Sequence, residues 1–310
     1  MNIIFFGSDD FAAAHLQALI RSAHHVVACV TQPDRPKGRG MGVVVSPVKE
    51  WAQTNKIPVL QPETVSDKVF IHELKSYRSD IFVVVAYGKF LTKALLDMPA
   101  FGAVNVHASL LPKYRGAAPI NWAIINGEKE SGVTVMKINE RMDAGDILAA
   151  QKIKIAKGET AVSLKAKMME AGPPLLGKTL EAIAAGKTKP VPQDEAKATL
   201  APKLIKPLGR IPWNKGAAEI LNLIRGVMPW PGAYTEYNGK TLKILDAEVV
   251  NKDTAASEPG EAVEVSKSGI LVATGKQGLL VKQVHLQDAK PMDAHSFMVG
   301  HDMAVGYKFK

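Results

Sequence analysis

The first half of the chain alternates short apolar runs with segments of helical periodicity, and this alternation constrains the fold more than any other feature. The apolar runs are rich in β-branched residues, as is typical of strands buried on both faces of a parallel sheet. Helix-like segments between such strands predict βαβ units and a doubly wound, mostly parallel α/β sheet. The predicted strands are Asn2–Phe6, Val26–Thr31, Ile81–Ala86 and Ala103–His107, and the predicted helices are Phe11–Ser22, Pro47–Asn55, Asp67–Ser76 and Thr92–Leu96.

The turn after the first predicted strand, Gly7-Ser8-Asp9-Asp10, lacks the Gly-x-Gly-x-x-Gly pattern of a dinucleotide-binding sheet. We therefore predict no NAD site in this sheet. Sheets of this kind nevertheless bind ligands at the carboxyl ends of their strands. Polar residues at those strand ends are the first candidates for a functional site.

The second half of the chain has a different pattern. A helical stretch over Glu159–Ala185 is interrupted by Gly172-Pro173-Pro174, and a helix over Ala217–Arg225 is followed by short alternating strands with glycine turns. Short, evenly spaced strands predict a small, OB-like C-terminal β-barrel. The predicted domains are residues 1–187 and 208–310, joined by a linker over residues 188–207 that is rich in Lys, Pro and Ala.

Composition excludes several classes of protein. The single cysteine, Cys29, rules out an internal disulfide framework and a multi-cysteine zinc site. No apolar run approaches the roughly 18 residues needed to span a bilayer, and the N-terminus lacks the basic region of a signal peptide. The formal net charge of +9 favours polyanionic partners such as nucleic acid. We expect a cytoplasmic monomer with no metal and no membrane contact.

The strongest candidates for chemistry follow the fourth predicted strand. Asn105 and His107 are two residues apart, so both side chains leave the same face of the strand. A buried, hydrogen-bonded histidine that serves only structure is the alternative. Asp143 lies in the glycine turn Arg141–Ile147, which by itself could be an ordinary loop. Beside His107, its carboxylate would set the tautomer of the imidazole and favour the charged form.

An amide donor, an imidazole and a carboxylate together suit acyl transfer to an amine. The amide of Asn105 can donate to a developing oxyanion. His107 can stabilise that charge or relay a proton, while Asp143 supports the imidazole. No activated serine, cysteine or lysine nucleophile is evident, which favours direct transfer over a covalent intermediate.

The combined pattern resembles the signature of the 10-formyltetrahydrofolate-dependent formyltransferase family. It consists of Asn105-x-His107, Ser109-Leu110-Leu111-Pro112, Arg115-Gly116-Ala117-Ala118-Pro119 and Asp143-x-Gly145. The resemblance implies a Rossmann-like catalytic domain and 10-formyltetrahydrofolate as the formyl donor. It implies that Asn105, His107 and Asp143 are catalytic, and that the folate pocket includes Ser109, Leu110, Leu111, Pro112, Val85, Tyr87 and Gly88.

The loop after the second strand indicates the acceptor. Gln32-Pro33-Asp34-Arg35-Pro36-Lys37-Gly38-Arg39-Gly40 resembles the insertion loop of the family members that act on methionyl-tRNA. Taken alone, it could be a solvated surface loop. The resemblance implies that Arg35, Lys37 and Arg39 contact initiator methionyl-tRNA, with Arg39 the best candidate. Further basic residues, Lys203, Lys206, Arg210 and Lys215, stand where the family carries a lysine-rich stretch, although Ile211-Pro212-Trp213 and Pro207 depart from its usual pattern.

These residues leave alternatives for the function. The enzyme could formylate a nucleotide-linked amino sugar, or it could hydrolyse formyltetrahydrofolate with water as the acceptor. A non-catalytic RNA-binding module is a third alternative, but such a module has no need of Asn105, His107 and Asp143. The expected reaction is formylation of the amino group of initiator methionyl-tRNA for translation initiation.

Overall fold

The computed structural model describes residues 1–37, 42–301 and 303–310, so Arg39 lies outside the described residues. These residues divide into two compact units, in which stretches distant in sequence come together. The first unit comprises Met1–Pro119, Glu130–Lys154 and Lys165–Pro202, and the second comprises Ile120–Lys129, Ile155–Leu164 and Lys203–Lys310.

A seven-stranded sheet forms the centre of the first unit, in the order β5-β2-β1-β6-β7-β8-β9. The first five strands of that order pair in parallel, whereas β8 and β9 are antiparallel to their neighbours. A separate hairpin pairs β3 with β4. The strands are β1 (Asn2–Gly7), β2 (His25–Val30), β3 (Arg35–Lys37), β4 (Gly42–Val44), β5 (Val59–Leu60), β6 (Ile81–Val85), β7 (Ala103–His107), β8 (Glu130–Lys137) and β9 (Ile147–Lys154).

The central strands are apolar because both of their faces are covered. All five residues of β6 are buried, and Ile3 and Phe6 of β1 are fully buried. Cys29 on β2 is also buried, and burial raises the pKa of its thiol to about 12. The predicted mostly parallel α/β sheet is confirmed, because strands buried on both sides carry continuous apolar runs.

Helices pack on this sheet, and Asp9, Ser46 and Asp67 cap three of them. The Asp9 carboxylate accepts a hydrogen bond from Ala12 N (3.0 Å), and the Ser46 hydroxyl accepts one from Lys49 N (3.1 Å). Such caps satisfy amides that have no partner within the helix. The helices are α1 (Asp10–Ile20), α2 (Pro47–Thr54), α3 (Lys68–Ser76), α4 (Lys93–Leu96) and most of α6 (Ala161–Ala184), with α5 (Pro119–Ile125) falling mostly in the second unit.

Helix α6 continues through the Gly172-Pro173-Pro174 sequence that interrupted the predicted helix. Gly172 faces the buried imidazole of His15 on α1, and a Cβ atom at position 172 would lie only 2.4 Å from His15 Nε2. The glycine is therefore required by close packing rather than by a break in the helix.

The second unit contains a six-stranded antiparallel sheet. Its main path runs β10-β11-β14-β13-β12, with β15 paired to β14. Among the described residues β10 and β12 do not pair with each other, so the sheet does not close, and the predicted C-terminal β domain is confirmed only as an antiparallel sheet. Its elements are α7 (Ala217–Gly226), β10 (Ala233–Tyr237), β11 (Lys240–Val250), β12 (Ala262–Ser266), β13 (Gly269–Ala273), β14 (Gly278–Leu286), β15 (Met292–Asp293) and α8 (Ala294–Gly300).

The core of the second unit is built around aromatic residues. The Trp213 ring is stacked on Phe309 with centroids 5.9 Å apart, and Trp213 Nε1 donates to the Thr235 hydroxyl (3.1 Å). The short helix α8 was predicted as strand; it packs Phe297 and Met298 into this core. Among residues 1–37, 42–301 and 303–310, no helix is long and apolar enough to cross a membrane.

Candidate active site

Strand β7 carries two of the predicted catalytic residues. Asn105 pairs with Met136 and His107 pairs with Thr134, both on β8. His107 is only 5 % exposed, whereas Asn105 is half-buried. Because residues two apart leave the same face of a strand, the sequence expectation that the two side chains lie together holds in the structure.

Both imidazole nitrogens of His107 face oxygen atoms. Nε2 lies 2.8 Å from the Tyr114 carbonyl oxygen, and Nδ1 lies 3.6 Å from Asp143 Oδ2. A carbonyl oxygen can only accept, so Nε2 carries the hydrogen and donates to Tyr114. A second proton on Nδ1 would then face the Asp143 carboxylate.

The Asp143 carboxylate is held from two sides. Oδ2 accepts a hydrogen bond from Gly116 N (2.9 Å), and Oδ1 lies 3.4 Å from Asn105 Nδ2. Asp143 adopts a left-handed backbone conformation with φ of +47°. At Gly145 a Cβ atom would lie 1.7 Å from the Lys137 carbonyl oxygen, so the turn admits only glycine there. The structure thus brings Asn105, His107 and Asp143 into one cluster.

The predicted folate residues follow the ends of β6 and β7, which are neighbours in the sheet. The buried Ser109 hydroxyl donates to the Lys113 carbonyl (2.6 Å). Thr134 Oγ1 donates to the Ser109 carbonyl (2.7 Å) and accepts from Leu111 N (3.2 Å). The Leu111–Pro112 peptide bond is cis. The loop over residues 109–112 is therefore hydrogen-bonded to β8, next to the end of β7 that carries His107.

The predicted folate residues at and after the end of β6 take different positions. Val85 and Tyr87 are buried, and the Tyr87 ring packs edge-on against Phe6 with centroids 5.4 Å apart. Burial raises the pKa of Tyr87 to about 12. Gly88 is exposed, and a Cβ atom there would meet only the Gln32 side chain within 4 Å. Only Gly88 of these three faces open space; the Tyr87 side chain belongs to the sheet core.

The basic loop is anchored at its base. The Asp34 carboxylate accepts hydrogen bonds from Lys49 Nζ and from Gln61 Nε2 (2.9 Å). The hydrogen bond from Lys49 lowers the pKa of Asp34. Arg35 is exposed on β3, whereas the Lys37 side chain and all of Arg39 lie outside the described part of the chain.

The second set of predicted basic residues lies in the second unit. Lys203, Lys206 and Arg210 are exposed, and none forms an ion pair with another described residue. Lys215 lies 3.8 Å from Glu219. The cluster of Asn105, His107 and Asp143 belongs entirely to the first unit, so the predicted site residues divide between the two units.

Sequence reasoning missed the contribution of residues 193–201, which were predicted as part of a linker. Arg115 is buried, and its guanidinium donates to Gln193 and to Glu195. Gln193 in turn donates to the Asp143 carbonyl (2.9 Å). Arg115 belongs to the sequence motif that begins at this residue, but no periodicity or spacing in the sequence indicates a role for Gln193. Within the described residues no group of three or more His, Cys, Asp or Glu could hold a metal ion.

Comparisons with known proteins identify the family of this chain. Residues 1–180 match the family Formyl transferase, and residues 203–302 match the family Formyl transferase, C-terminal domain. The chain belongs to the formyl transferase family.

Among its relatives, the chain is 46% identical to the methionyl-tRNA formyltransferase of Lachnospira eligens, over 99% of this chain and 98% of that protein. It is 43% identical to the methionyl-tRNA formyltransferase of Alkaliphilus oremlandii, over 99% of this chain and 98% of the relative. Its fold resembles the crystal structure of the sugar 3N-formyl transferase WlaRD, with a TM-score of 0.67 and 17% identity over 94% of this chain and 99% of that one.

Proposed function

We propose that this protein transfers a formyl group from 10-formyltetrahydrofolate to the free amino group of initiator methionyl-tRNA. The convergence of Asn105, His107 and Asp143 at the end of β7 carries the proposal, because this group matches the chemistry of acyl transfer to an amine. The relatives named methionyl-tRNA formyltransferase support the acceptor, since they match this chain over 98% of their own length.

In the reaction, the amine nitrogen of the methionyl ester attacks the formyl carbon. A new C–N bond forms, the bond from the formyl carbon to the folate nitrogen breaks, and one proton passes from the attacking nitrogen to the leaving nitrogen. Asn105 Nδ2 donates to the oxyanion that develops on the formyl oxygen. Removing one such donor typically costs about 100-fold to 1000-fold in kcat.

His107 acts beside this oxyanion, where its imidazole stabilises the charge or relays the proton. Its Nε2–H is committed to the Tyr114 carbonyl (2.8 Å), so Nδ1 is the nitrogen that exchanges a proton. The Asp143 carboxylate, 3.6 Å away, stabilises the imidazolium. Because His107 is only 5 % exposed, these electrostatic interactions are stronger than they would be in water.

The folate donor fits the adjoining strand ends. We propose that Ser109, Leu110, Leu111 and Pro112 form one wall and that the chain at Val85, Tyr87 and Gly88 forms the other. Support comes from the pairing of β6 with β7 and from the open space at Gly88. Because the Tyr87 ring is buried in the core, its contribution would come from the backbone.

The tRNA acceptor would contact basic residues in both units. We assign residues 1–187 to catalysis and folate binding, residues 188–207 to a linker whose residues 191–201 are hydrogen-bonded to the first unit, and residues 208–310 to an OB-like tRNA-binding domain. Arg35, Lys37, Arg39, Lys203, Lys206 and Arg210 neutralise tRNA phosphates in this proposal. A cytoplasmic monomer would meet both substrates where translation begins.

The decisive experiment measures formyl transfer from 10-formyltetrahydrofolate to separate acceptors. Charged initiator methionyl-tRNA, a nucleotide-linked amino sugar and water alone would be compared under the same conditions. Rapid formation of formylmethionyl-tRNA alone is the expected result. Transfer only to the sugar, or formate release without an acceptor, would keep the catalytic cluster and overturn the assigned acceptor.

A further inference from the structure

Residues 193–201 hold the loops on both sides of the His107 imidazole, although their composition is that of a linker. This segment contacts the Arg115 loop, which supplies the Tyr114 carbonyl, and the Asp143 turn. These two elements face Nε2 and Nδ1 of His107 respectively. A single segment therefore braces both partners of the catalytic imidazole.

The Gln193 amide is fully occupied between these elements. Nε2 donates to the Asp143 carbonyl (2.9 Å) and to the Gly145 carbonyl (2.7 Å). Oε1 accepts from Arg115 Nε (3.1 Å) and from Arg115 Nη2 (2.8 Å). The orientation of the amide follows from chemistry, because guanidinium groups only donate and carbonyl groups only accept. In a flipped amide, the NH2 group would face the Arg115 donors and the amide oxygen would face the two carbonyl oxygens.

Arg115 is in turn held by a carboxylate. Its Nη1 and Nη2 donate to the two Glu195 carboxylate oxygens, at 3.0 Å each. Arg141, beside the Asp143 turn, also donates to Glu195 (2.8 Å). The hydrogen bond from Arg115 lowers the pKa of Glu195 to about 2, so this carboxylate stays charged. Planar, bidentate pairing of this kind gives a defined geometry.

Backbone hydrogen bonds complete the attachment. Arg115 N donates to the Thr199 carbonyl (2.8 Å), and Ala201 N donates to the Arg115 carbonyl (2.7 Å). The Thr199 hydroxyl accepts from Tyr114 N (2.9 Å). At Gly116 a Cβ atom would lie 2.7 Å from the Ala201 carbonyl oxygen, so the Arg115 loop and residues 193–201 approach each other closely.

We propose that Gln193, locked by Arg115 and Glu195, is a positioning residue that holds the Asp143 turn in its catalytic geometry. Asp143 has a left-handed backbone, which is uncommon for residues other than glycine although aspartate tolerates it, so an added constraint helps to hold the turn. Gln193 supplies that constraint because it binds the carbonyls at both ends of the Asp143–Gly145 turn. This inference rests on the proposed formyl transfer, since the turn is otherwise only a loop.

The test compares Gln193→Glu and Gln193→Met with the unchanged chain in formyl transfer to methionyl-tRNA. Gln193→Glu removes the donor and sets a charge against two carbonyls, whereas Gln193→Met keeps the length without a charge. We expect kcat to fall about 10-fold to 100-fold in both variants, because a shift of about 1 Å in a catalytic group has effects of this size. KM for each substrate should change little.

The matched control is Gln151→Glu, which makes the same chemical change at an exposed position on β9. It should leave kcat unaltered. Thermal unfolding of each variant separates loss of fold from loss of positioning. If Gln193→Glu does not fold, the comparison rests on Gln193→Met. Glu195→Gln should also lower kcat, by a smaller factor than the Gln193 variants.

A double-mutant cycle with Asp143→Asn distinguishes positioning from a general structural effect. If Gln193 acts through Asp143, Gln193→Met should lower kcat in the unchanged chain but hardly at all beside Asp143→Asn. Equal losses in both backgrounds, or unchanged kcat in the single variants, would overturn this inference. Absence of formyl transfer by the unchanged chain would instead overturn the proposed function.

Discussion

The buried imidazole of His15 makes a quantitative prediction about acid stability. His15 Nδ1 lies 2.8 Å from the Phe11 carbonyl, and Nε2 has no partner among the described residues. The ring packs against Phe11, with centroids 4.7 Å apart, and against Gly172. Burial lowers the pKa of His15 from 6.5 to about 4, because a charged imidazole there would lack both water and a counter-ion.

The sign and size of the effect follow from proton linkage. Above about pH 6.5 the ring is neutral in both the folded and the unfolded chain, so it leaves the free energy of unfolding unchanged. Between about pH 6.5 and pH 4 only the unfolded chain takes up the proton, and stability falls. At about 1.4 kcal/mol per pKa unit, the loss reaches about 2 kcal/mol at about pH 5 and about 3 kcal/mol at about pH 4.

The perturbation is His15→Leu, which has nearly the same volume and does not titrate. Urea unfolding followed by circular dichroism would give the free energy of unfolding of both chains at several pH values. We expect the variant to gain about 2 kcal/mol relative to the wild type between about pH 7 and pH 5. The control is His72→Leu, which removes an exposed histidine on α3 and should not change the pH dependence.

Superimposable pH profiles for the wild type and His15→Leu would refute this reasoning. That result would mean either that the imidazole is protonated in the folded chain or that water reaches Nε2. A gain of the same size at every pH would also contradict it, because a packing effect is independent of proton uptake.

Three further predictions concern the Asp143 carboxylate, the basic loop and the hydrophobic core of the second unit. Asp143→Ala should lower kcat by at least about 100-fold in a formyl-transfer assay, with folate affinity measured by calorimetry nearly unchanged. Arg35→Ala should raise KM for tRNA and leave KM for the folate donor unchanged. The dependence of tRNA binding on salt concentration should weaken by the amount expected for about one lost phosphate contact. Trp213→Ala should destabilise the second unit by about 3–5 kcal/mol in urea unfolding, because it leaves a cavity beside Phe309.

Much of the first unit could be predicted because its signals are local. Strand β7 has the predicted bounds, β1 and β6 differ from the prediction by one residue at one end, and β2 differs by one residue at both ends. Continuous apolar runs mark strands that are covered on both faces, whatever the rest of the chain does. The proximity of Asn105 and His107 likewise follows from the two-residue period of a strand.

The continuity of the long helix and the short helix near the C-terminus were harder to predict. The helix α6 runs through Pro173 and Pro174, and Gly172 beside them packs closely against His15. The seven-residue helix α8 was expected to be strand. The Asp293 carboxylate accepts from Ser296 N (2.8 Å) and caps this helix, so the aspartate was the one signal that could have marked its start.

The linker prediction shows what composition cannot show. Lysine and proline over residues 188–207 suggested a solvated connection. Instead, Val191 exchanges backbone hydrogen bonds with Ile147 on β9, and Gln193 binds the Asp143 turn. Nothing in the local composition distinguishes a free segment from one whose backbone pairs with a distant strand.

The sequence by itself determined the α/β sheet, the family and the choice of the three proposed catalytic residues, because these depend on periodicity and on motifs contained in short stretches. Only the tertiary structure decided how those residues are held: Gln193 reaches a carbonyl 50 residues away, and Arg115 reaches a carboxylate 80 residues away. Hydrogen bonds over such separations form only after the chain has folded, and local patterns carry no record of them.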